Sequence, residues 1–382
     1  MTPSLFERAG AWRGLGIAAL LLVLTRAVQI VMLLWLSAYS DDGQSLRQYL
    51  LEWDGGWFIR AATDGYPQGY TFAASGALEA NELAFFPVYP MLIRGLTALG
   101  ADPGTAAIAV AWTASLGAAI ALHLLGTSLY DRRAGWALVA ICCSAPVSVV
   151  LSMAYSEGLF LAFVAGMLAA AHRRVWWAAG LLGLLASLTR PTGAAAAVAL
   201  AVAAALAVKN REEDREGTWK PIAAALVALA GVPAYLGWVA LRVGDLDAWF
   251  RIQAAGWGTA FDAGASTLSF LVTTLSEGDG WVPMSVALIL LAAVAAAWIA
   301  LAGRPWPPLA VYGVLAMILV YGQAGFYHSK PRLLLPVLLT LMPAVVAAAR
   351  ARPRVAVLSI TAWALFGLWY GAYLVVVWPY TL

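Results

Sequence analysis

Five short clusters in this 382-residue chain combine residue types that can do chemistry. The first is Glu52-Trp53-Asp54-Gly55-Gly56-Trp57-Phe58, two carboxylates among tryptophans with a glycine pair that frees the backbone. An acid beside apolar aromatic surface can act as a base, bind a sugar hydroxyl or hold a metal. The bland reading is an interfacial turn with belt aromatics. The second, Asn81-Glu82-Leu83-Ala84-Phe85-Phe86-Pro87-Val88-Tyr89-Pro90, has two prolines that fix an extended turn ahead of a helix. Its aromatics, Tyr89 among them, suit either a sugar platform or a membrane-interface anchor. The third is Tyr155-Ser156-Glu157-Gly158, whose Glu157 is the sole acid between Asp131 and Glu212. An ionisable group at a membrane junction is costly and points to a site, though it can also cap the helix that follows. The fourth, Thr189-Arg190-Pro191-Thr192-Gly193, breaks a helix at Pro191 and places Arg190 at a rim, where it can hold phosphate bidentately or simply snorkel. The fifth, Phe326-Tyr327-His328-Ser329-Lys330-Pro331-Arg332, packs three potential cations and two aromatics into seven residues. Its natural partner is an anionic lipid phosphate.

These clusters sit in a chain that composition places in a membrane. It is 63% hydrophobic and 11% charged, with mean hydropathy +0.81. Soluble domains are about 45–50% apolar and about 25% charged, so a soluble or disordered protein is excluded. A net charge of +3 gives no footprint for a nucleic-acid partner. The two cysteines, Cys142 and Cys143, are adjacent in an apolar run and read as helix packing. No His-x-Glu or Cys cluster suggests a transition metal, and no glycine-rich phosphate loop suggests a nucleotide. A lipid-linked activated donor, its phosphate at the interface and its tail in the bilayer, fits better. Arg26 and His123, inside spans, read as partners in buried polar contacts, and Asp64 as a turn residue.

A single all-α membrane domain over 1–382 is predicted, with about 11 spans at 15–38, 104–127, 135–152, 156–171, 175–190, 192–208, 221–242, 281–302, 307–324, 332–349 and 355–378. Several are short, and those between 135 and 190 suit half-buried or broken helices. The first is read as a retained helix, since no small-residue cleavage site follows it. With the N-terminus in the cytoplasm, 14 of the 23 Lys and Arg fall inside and 8 outside, including the basic turns Asp131-Arg132-Arg133 and His172-Arg173-Arg174. The same parity puts 14 of 20 acids outside, together with two long loops at about 39–103 and about 243–280. These aromatic-rich loops carry helix-like apolar stretches expected to lie in the outer interface. The charged stretch Lys209–Glu216 reads as a solvated cytoplasmic connector.

The motifs Trp53-Asp54-Gly55-Gly56-Trp57-Phe58, Asp64-Gly65-Tyr66 and Ala84–Pro90 resemble the start of the PIG-V family. That family comprises the second mannosyltransferase of GPI-anchor synthesis and its bacterial relatives. Ser156–Phe160, Thr189–Gly193 and His328–Arg332 are similar to it in the same order. The resemblance implies a GT-C type enzyme that takes a sugar from a polyprenyl or dolichyl phosphate and inverts the linkage on the non-cytoplasmic face. It also implies that an acid of the first outer loop, here Asp54, is the base or orients the acceptor. The short loops point to a bacterial relative in the inner membrane, N-terminus in, C-terminus and active site outward, rather than to one acting on a GPI precursor.

The expected reaction moves mannose from polyprenyl-phosphate-mannose to a lipid or glycan hydroxyl by one in-line displacement. Asp54 takes the proton, with Glu52 its closest rival. Arg190, His328, Lys330 and Arg332 neutralise the leaving phosphate. Glu157 orients sugar hydroxyls or a basic side chain, while Glu82 and Trp53, Trp57 and Tyr89 bind sugar or acceptor. No cofactor is firmly expected, because the basic cluster can neutralise the phosphate alone. A divalent metal on Asp54 with Glu52 or Glu157 stays open. The competing readings are a lipid-linked sugar flippase or other transporter, the same fold with another sugar or a protein acceptor, and a non-catalytic assembly subunit.

Overall fold

The structure is a computed structural model that describes residues 5–40, 43–210, 218–278, 280–378 and 380, with side chains from residue 12 onward. The connector predicted over 209–216 and the acids Asp41, Asp42 and Asp279 thus lie wholly or mostly outside the described residues. The first half holds α1 (Leu5–Ser37), α2 (Leu46–Leu51), α3 (Asp54–Thr63), α4 (Val88–Ala98), α5 (Pro103–Leu129), α6 (Arg132–Cys143), α7 (Glu157–His172), α8 (Trp176–Ser187) and α9 (Gly193–Lys209). The second holds α10 (Trp219–Val243), α11 (Ala248–Trp257), α12 (Ala265–Glu277), α13 (Trp281–Ala302), α14 (Pro307–Tyr321), α15 (Lys330–Leu334), α16 (Met342–Arg350) and α17 (Pro353–Val376). A two-residue antiparallel pair, Thr71–Phe72 with Leu78–Glu79, is the one sheet among the described residues. The chain is an all-α polytopic membrane protein.

Helix occurs in each of the eleven predicted segments, but two of them, 135–152 and 332–349, are broken, and the rest divide by length. Among the described residues, five helices are long and apolar enough to cross a membrane: α1 from Trp12, α5, α10, α13 and α17. A sixth span is counted if Tyr327–Leu334 and Leu338–Arg350, bent by 76°, are taken together. Four more, α7, α8, α9 and α14, are apolar but only 12–17 residues long. At about 1.5 Å per residue they reach some 18–26 Å, short of a core about 30 Å thick. α7 is shielded by protein: most of its residues are buried, whereas α10 and α13 each keep exposed apolar residues. The segment predicted at 135–152 stops as a helix at Cys143, because Pro146 offers no backbone N–H to continue the ladder.

The chain from Ser144 to Ser156 is therefore irregular yet buried, which inside a membrane requires each backbone polar group to find a protein partner. Side chains from other helices supply them. Arg26 of α1 donates through Nη1 to the Ser148 carbonyl (2.6 Å) and through Nη2 to the Cys143 carbonyl. Ser115 Oγ of α5 donates to Leu151 (2.9 Å), Trp112 Nε1 to Ser152 (2.9 Å), and the Ala154 N–H to Leu50 (2.7 Å). At Gly158 an added Cβ would lie 2.5 Å from Ser115 Oγ, so the bare glycine lets α7 close onto α5. Arg26 is thus structural, as its type inside a span suggested. Its removal should cost about 1–3 kcal/mol per orphaned carbonyl. Arg26→Met is expected to lower the unfolding midpoint of the purified protein in detergent, and an unchanged midpoint would remove Arg26 from this role.

The two long loops fold against each other. Loop one contains α2, α3, the small hairpin and α4, and loop two contains α11 and α12. Trp249 Nε1 (3.3 Å) and Gln253 Nε2 (3.0 Å) of α11 both donate to the Ala84 carbonyl. The Tyr235 hydroxyl of α10 reaches the Leu83 (3.0 Å) and Phe85 (2.7 Å) carbonyls. On α12, Leu268, Val272 and Leu275 leave an exposed apolar stripe of the kind an interfacial helix presents.

At the edge of this contact the Tyr70 hydroxyl donates to Asp245 (2.6 Å) and Arg251 donates to it as well (2.9 Å). The hydrogen bond from Tyr70 comes first in holding the Asp245 carboxyl below its usual range. Partial desolvation and the carboxylate together push the Tyr70 phenol up to about 12. A depressed carboxylate stabilises the fold above its unfolded pKa and loses that contribution as pH falls through the folded value. Amide protection factors in the 69–80 hairpin, which remove the intrinsic pH dependence of exchange, are expected to stay constant from neutrality down to the ordinary carboxylate value of 3.8 and to fall only below it. Tyr70→Phe should raise exchange there at neutral pH; equal exchange in that variant would sever the link.

Candidate active site

Three chain segments far apart in sequence meet around one guanidinium. Trp53 takes φ 53°, a left-handed conformation costing a β-carbon-bearing residue about 1–3 kcal/mol. That kink turns the chain from α2 into α3 and makes Asp54 the first residue of α3, where a carboxylate also complements the helix dipole. Arg332 of α15 donates from Nη1 to Asp54 Oδ2 at 2.8 Å. Its Nε lies 3.3 Å from Glu157 Oε1, and its guanidinium sits 5.0 Å over the Tyr155 ring. Glu157 Oε1 is also 2.7 Å from Arg190 Nη1, which donates to Ser156 Oγ at 3.2 Å. The result is a chain of alternating charge, Asp54–Arg332–Glu157–Arg190. Side-chain exposure is 17% for Asp54, 10% for Arg332, 15% for Arg190 and 1% for Glu157. Three members reach the surface of the site and Glu157 lies behind them.

Arg190 is aimed by its turn. Thr189 Oγ1 donates to Leu185 (2.6 Å), the Arg190 N–H reaches Ala186, and the turn presses so closely on α8 that a Cβ at Gly193 would fall 2.4 Å from Ser187 Cα. Val88 N–H of α4 joins loop one to the same turn through Leu188 (3.3 Å). Lys330 is held by carbonyls: Nζ donates to Val320 (2.9 Å) and Gln323 (2.6 Å) at the end of α14.

These groups open into a cleft of about 170 Å³ between the two loops. Its charged walls are Asp54, Arg190, Lys330 and Arg332, three cations against one carboxylate. Phe58, Phe85 and Phe86 of loop one and Trp249, Gln253 and Trp257 of loop two supply aromatic and amide surface. Of the residues singled out in the sequence, the fold thus brings Asp54, Arg190, Lys330 and Arg332 to one cavity, with Glu157 directly behind.

Others stand elsewhere. Tyr89 is fully buried, its hydroxyl donating to the Ala107 carbonyl (2.9 Å), so it is a core residue instead of a sugar platform. Trp57 stacks on Phe85, packs on Trp257 and carries Arg60 over its face at 3.9 Å; it backs the cleft wall without lining it. Glu82 pairs with Arg60 (3.1 Å). Glu52 caps the end of α2, and Trp53 serves as the kink; neither lines the cleft. His328 is buried against Phe326, Tyr327 and Tyr380, turned from the cavity by this aromatic packing. Tyr155 stood in the third cluster without a role of its own, and the trio Trp249, Gln253 and Trp257 stood in none of the clusters. The trio recurs every four residues, which on a helix makes one face, and that spacing was the available signal. Among the described residues no three His, Cys, Asp or Glu side chains gather in a group able to hold a metal. Asp54 and Glu157, one of the two pairs considered for a metal, share Arg332.

The sequence comparisons agree with the motifs. GPI alpha-1,6-mannosyltransferase 2 of Rattus norvegicus is 32% identical over 155 residues, covering 38% of this chain and 29% of that protein. The proteins of the same name from Mus musculus and Cricetulus griseus are each 31% identical, over 155 and 156 residues. Over that stretch the chain is similar to these PIG-V proteins. It spans under a third of the length of these curated relatives, at 29%. No family model matches it. Among solved structures, the oligosaccharyltransferase AglB from Archaeoglobus fulgidus, in complex with an inhibitory peptide and a dolichol-phosphate, covers 97% of this chain and 56% of its own, with TM-score 0.49 and 14% identity. An Archaeoglobus fulgidus oligosaccharyltransferase with Zn and sulfate covers 92% and 53%, with TM-score 0.43 and 13% identity.

The buried ion chain makes a quantitative expectation. Removing one partner of a buried pair costs about 3–5 kcal/mol because the other charge is left unpaired. Arg332→Ala is expected to destabilise the protein by that order, and Arg332→Ala with Asp54→Asn by less than the sum of the two single changes. Strict additivity in a double-mutant unfolding cycle would mean that the pair is not coupled.

Proposed function

We propose that the protein is an inverting glycosyltransferase of the membrane's non-cytoplasmic face that moves mannose from polyprenyl-phosphate-mannose to a lipid or glycan hydroxyl. The observation that carries this reading is that the cleft's single wall carboxylate, Asp54, faces the same cavity as Arg190, Lys330 and Arg332. A displacement at an anomeric carbon needs a proton acceptor on one side and charge neutralisation of the leaving phosphate on the other. The likeness to the mannosyltransferases supports the sugar and the reaction type.

In this mechanism the acceptor hydroxyl attacks the sugar's first carbon from the face opposite the phosphate. The carbon–phosphate oxygen bond breaks, the electron pair leaves with the phosphate, and Asp54 receives the hydroxyl proton. Arg332 engages only Oδ2 of Asp54, which leaves the carboxylate's second oxygen as the proton-accepting position. Arg190 and Arg332 bind the phosphate as charge-assisted donors, and Lys330 adds positive potential from its seat on the α14 carbonyls. Glu157 acts on the arginines: it holds both at the geometry in which they meet the phosphate. Trp249, Gln253 and Trp257 offer the sugar a stacking and hydrogen-bonding face.

General-base catalysis contributes about 10²–10⁴-fold. With radiolabelled polyprenyl-phosphate-mannose and a lipid extract as acceptor source, wild-type protein is expected to transfer mannose to a new lipid. Asp54→Asn should reduce the rate by that factor while keeping donor binding. Turnover near wild type in Asp54→Asn would overturn the base assignment, and donor binding unaffected by Arg190→Ala would remove Arg190 from the phosphate site.

A further inference from the structure

A second cavity, about 800 Å³ and almost wholly apolar, opens on the other side of α15 between α13, α16 and α17. Pro331, Leu334 and Leu335 close one end, and Ala351, Val355 and Ala356 close the other. From Ser285 to Ala296 the wall formed by α13 runs about 17 Å at the helical rise, roughly half the bilayer core. Such a groove between membrane helices takes an apolar chain, and its two ends differ in what they offer a headgroup.

At the Pro331 end the nearby cations are already used: Arg332 turns away to Asp54 and Glu157, and Lys330 is seated on two carbonyls. At the Ala351 end stand Arg350, Arg352 and Arg354, all three exposed and flanking the lining residues Ala351 and Val355. No Asp or Glu occurs anywhere from residue 280 to the end of the sequence, so none of the helices forming that mouth carries a counter-charge. The nearest acid on the helix packed beside α16, Asp131, is spent capping α6 through the Ala134 N–H (2.8 Å). Three exposed guanidiniums with no acid paired to them among the described residues, at the mouth of an apolar groove, complement an anionic headgroup joined to acyl chains.

We propose that this groove is a binding site for an anionic membrane phospholipid, its acyl chain between α13, α16 and α17 and its phosphate on Arg350, Arg352 and Arg354. The lipid fills a space that the protein's own side chains leave open and supports α15 from the side opposite the catalytic cleft. The site does not rest on the transferase reading, and its test reads no turnover.

The full chain, purified in neutral detergent, is titrated with phosphatidylglycerol and with phosphatidylcholine of the same acyl chains, read by native mass spectrometry and by the thermal unfolding midpoint. Wild type is expected to retain one phosphatidylglycerol in preference to phosphatidylcholine and to unfold at a higher temperature with it. At about a kcal/mol per basic residue, the triple change R350Q, R352Q and R354Q should weaken phosphatidylglycerol binding about a hundredfold. Ala296→Trp, which fills the groove, should abolish binding with the arginines untouched. If that variant does not fold, the headgroup comparison on wild type and on the surface-charge variant decides alone. Equal binding of the two headgroups, or full binding by the triple variant, would overturn the proposal. Displacement of phosphatidylglycerol by polyprenyl phosphate would also overturn it, by giving the groove to a prenyl chain.

Discussion

The guanidinium of Arg332 is the point on which the site depends. It is nearly out of water and touches two carboxylates brought from 278 and 175 residues away. A buried charge of this kind persists only with its partners in place, because its desolvation is offset by nothing else. The positions of α3, α7 and α15 are thus fixed relative to one another by a single electrostatic requirement. Tyr155 completes the cage by covering the guanidinium face, where the ring's negative quadrupole favours the cation.

Everything that positions Glu157 has to work without regular backbone. Between Cys143 and Glu157 the chain is buried and mostly non-helical, in a region where water cannot satisfy stray amides. Arg26, Trp112 and Ser115 answer that need from two neighbouring helices, and the glycine at 158 removes the side chain that would hold α7 off α5. The short helices α7 to α9 follow from the same geometry. They are shorter than the long apolar helices beside them, and they are bounded by the turns at 156 and at 189–192.

The helices were legible in the sequence because lipid imposes a strong composition signal, and all eleven apolar segments are present. Their lengths were less legible: a buried apolar helix of 12 residues and a spanning one read alike by hydropathy, and only packing separates them. At the site, charged residues in apolar surroundings stood out, so Asp54, Glu157, Arg190, Lys330 and Arg332 were visible. Aromatic residues did not sort in the same way. Tyr89 and Trp57 have the right type and the right neighbourhood, yet one hydroxyl is consumed by the Ala107 carbonyl and the other ring by Phe85 and Trp257. Trp249 and Trp257 line the cavity because a loop that begins its contact 165 residues on folds over Ala84, a pairing no local pattern encodes.

The placement of Glu157 also explains how one arginine can serve two chemical states. If Asp54 accepts a proton, its attraction for Arg332 falls, and an arginine with a single counter-charge would be left unpaired in a poorly solvated pocket. Glu157, 3.3 Å from the Nε, keeps Arg332 compensated through that change, and its second contact keeps Arg190 in register at 2.7 Å. A carboxylate withheld from the cavity thus pairs with two cations that face it, while Asp54 is the carboxylate that reaches the cavity. The division between Asp54 and Glu157 is one of exposure: 17% against 1% of side-chain surface. That difference fits the proposed mechanism, in which the exposed acid exchanges the proton and the buried one holds the charge geometry around it.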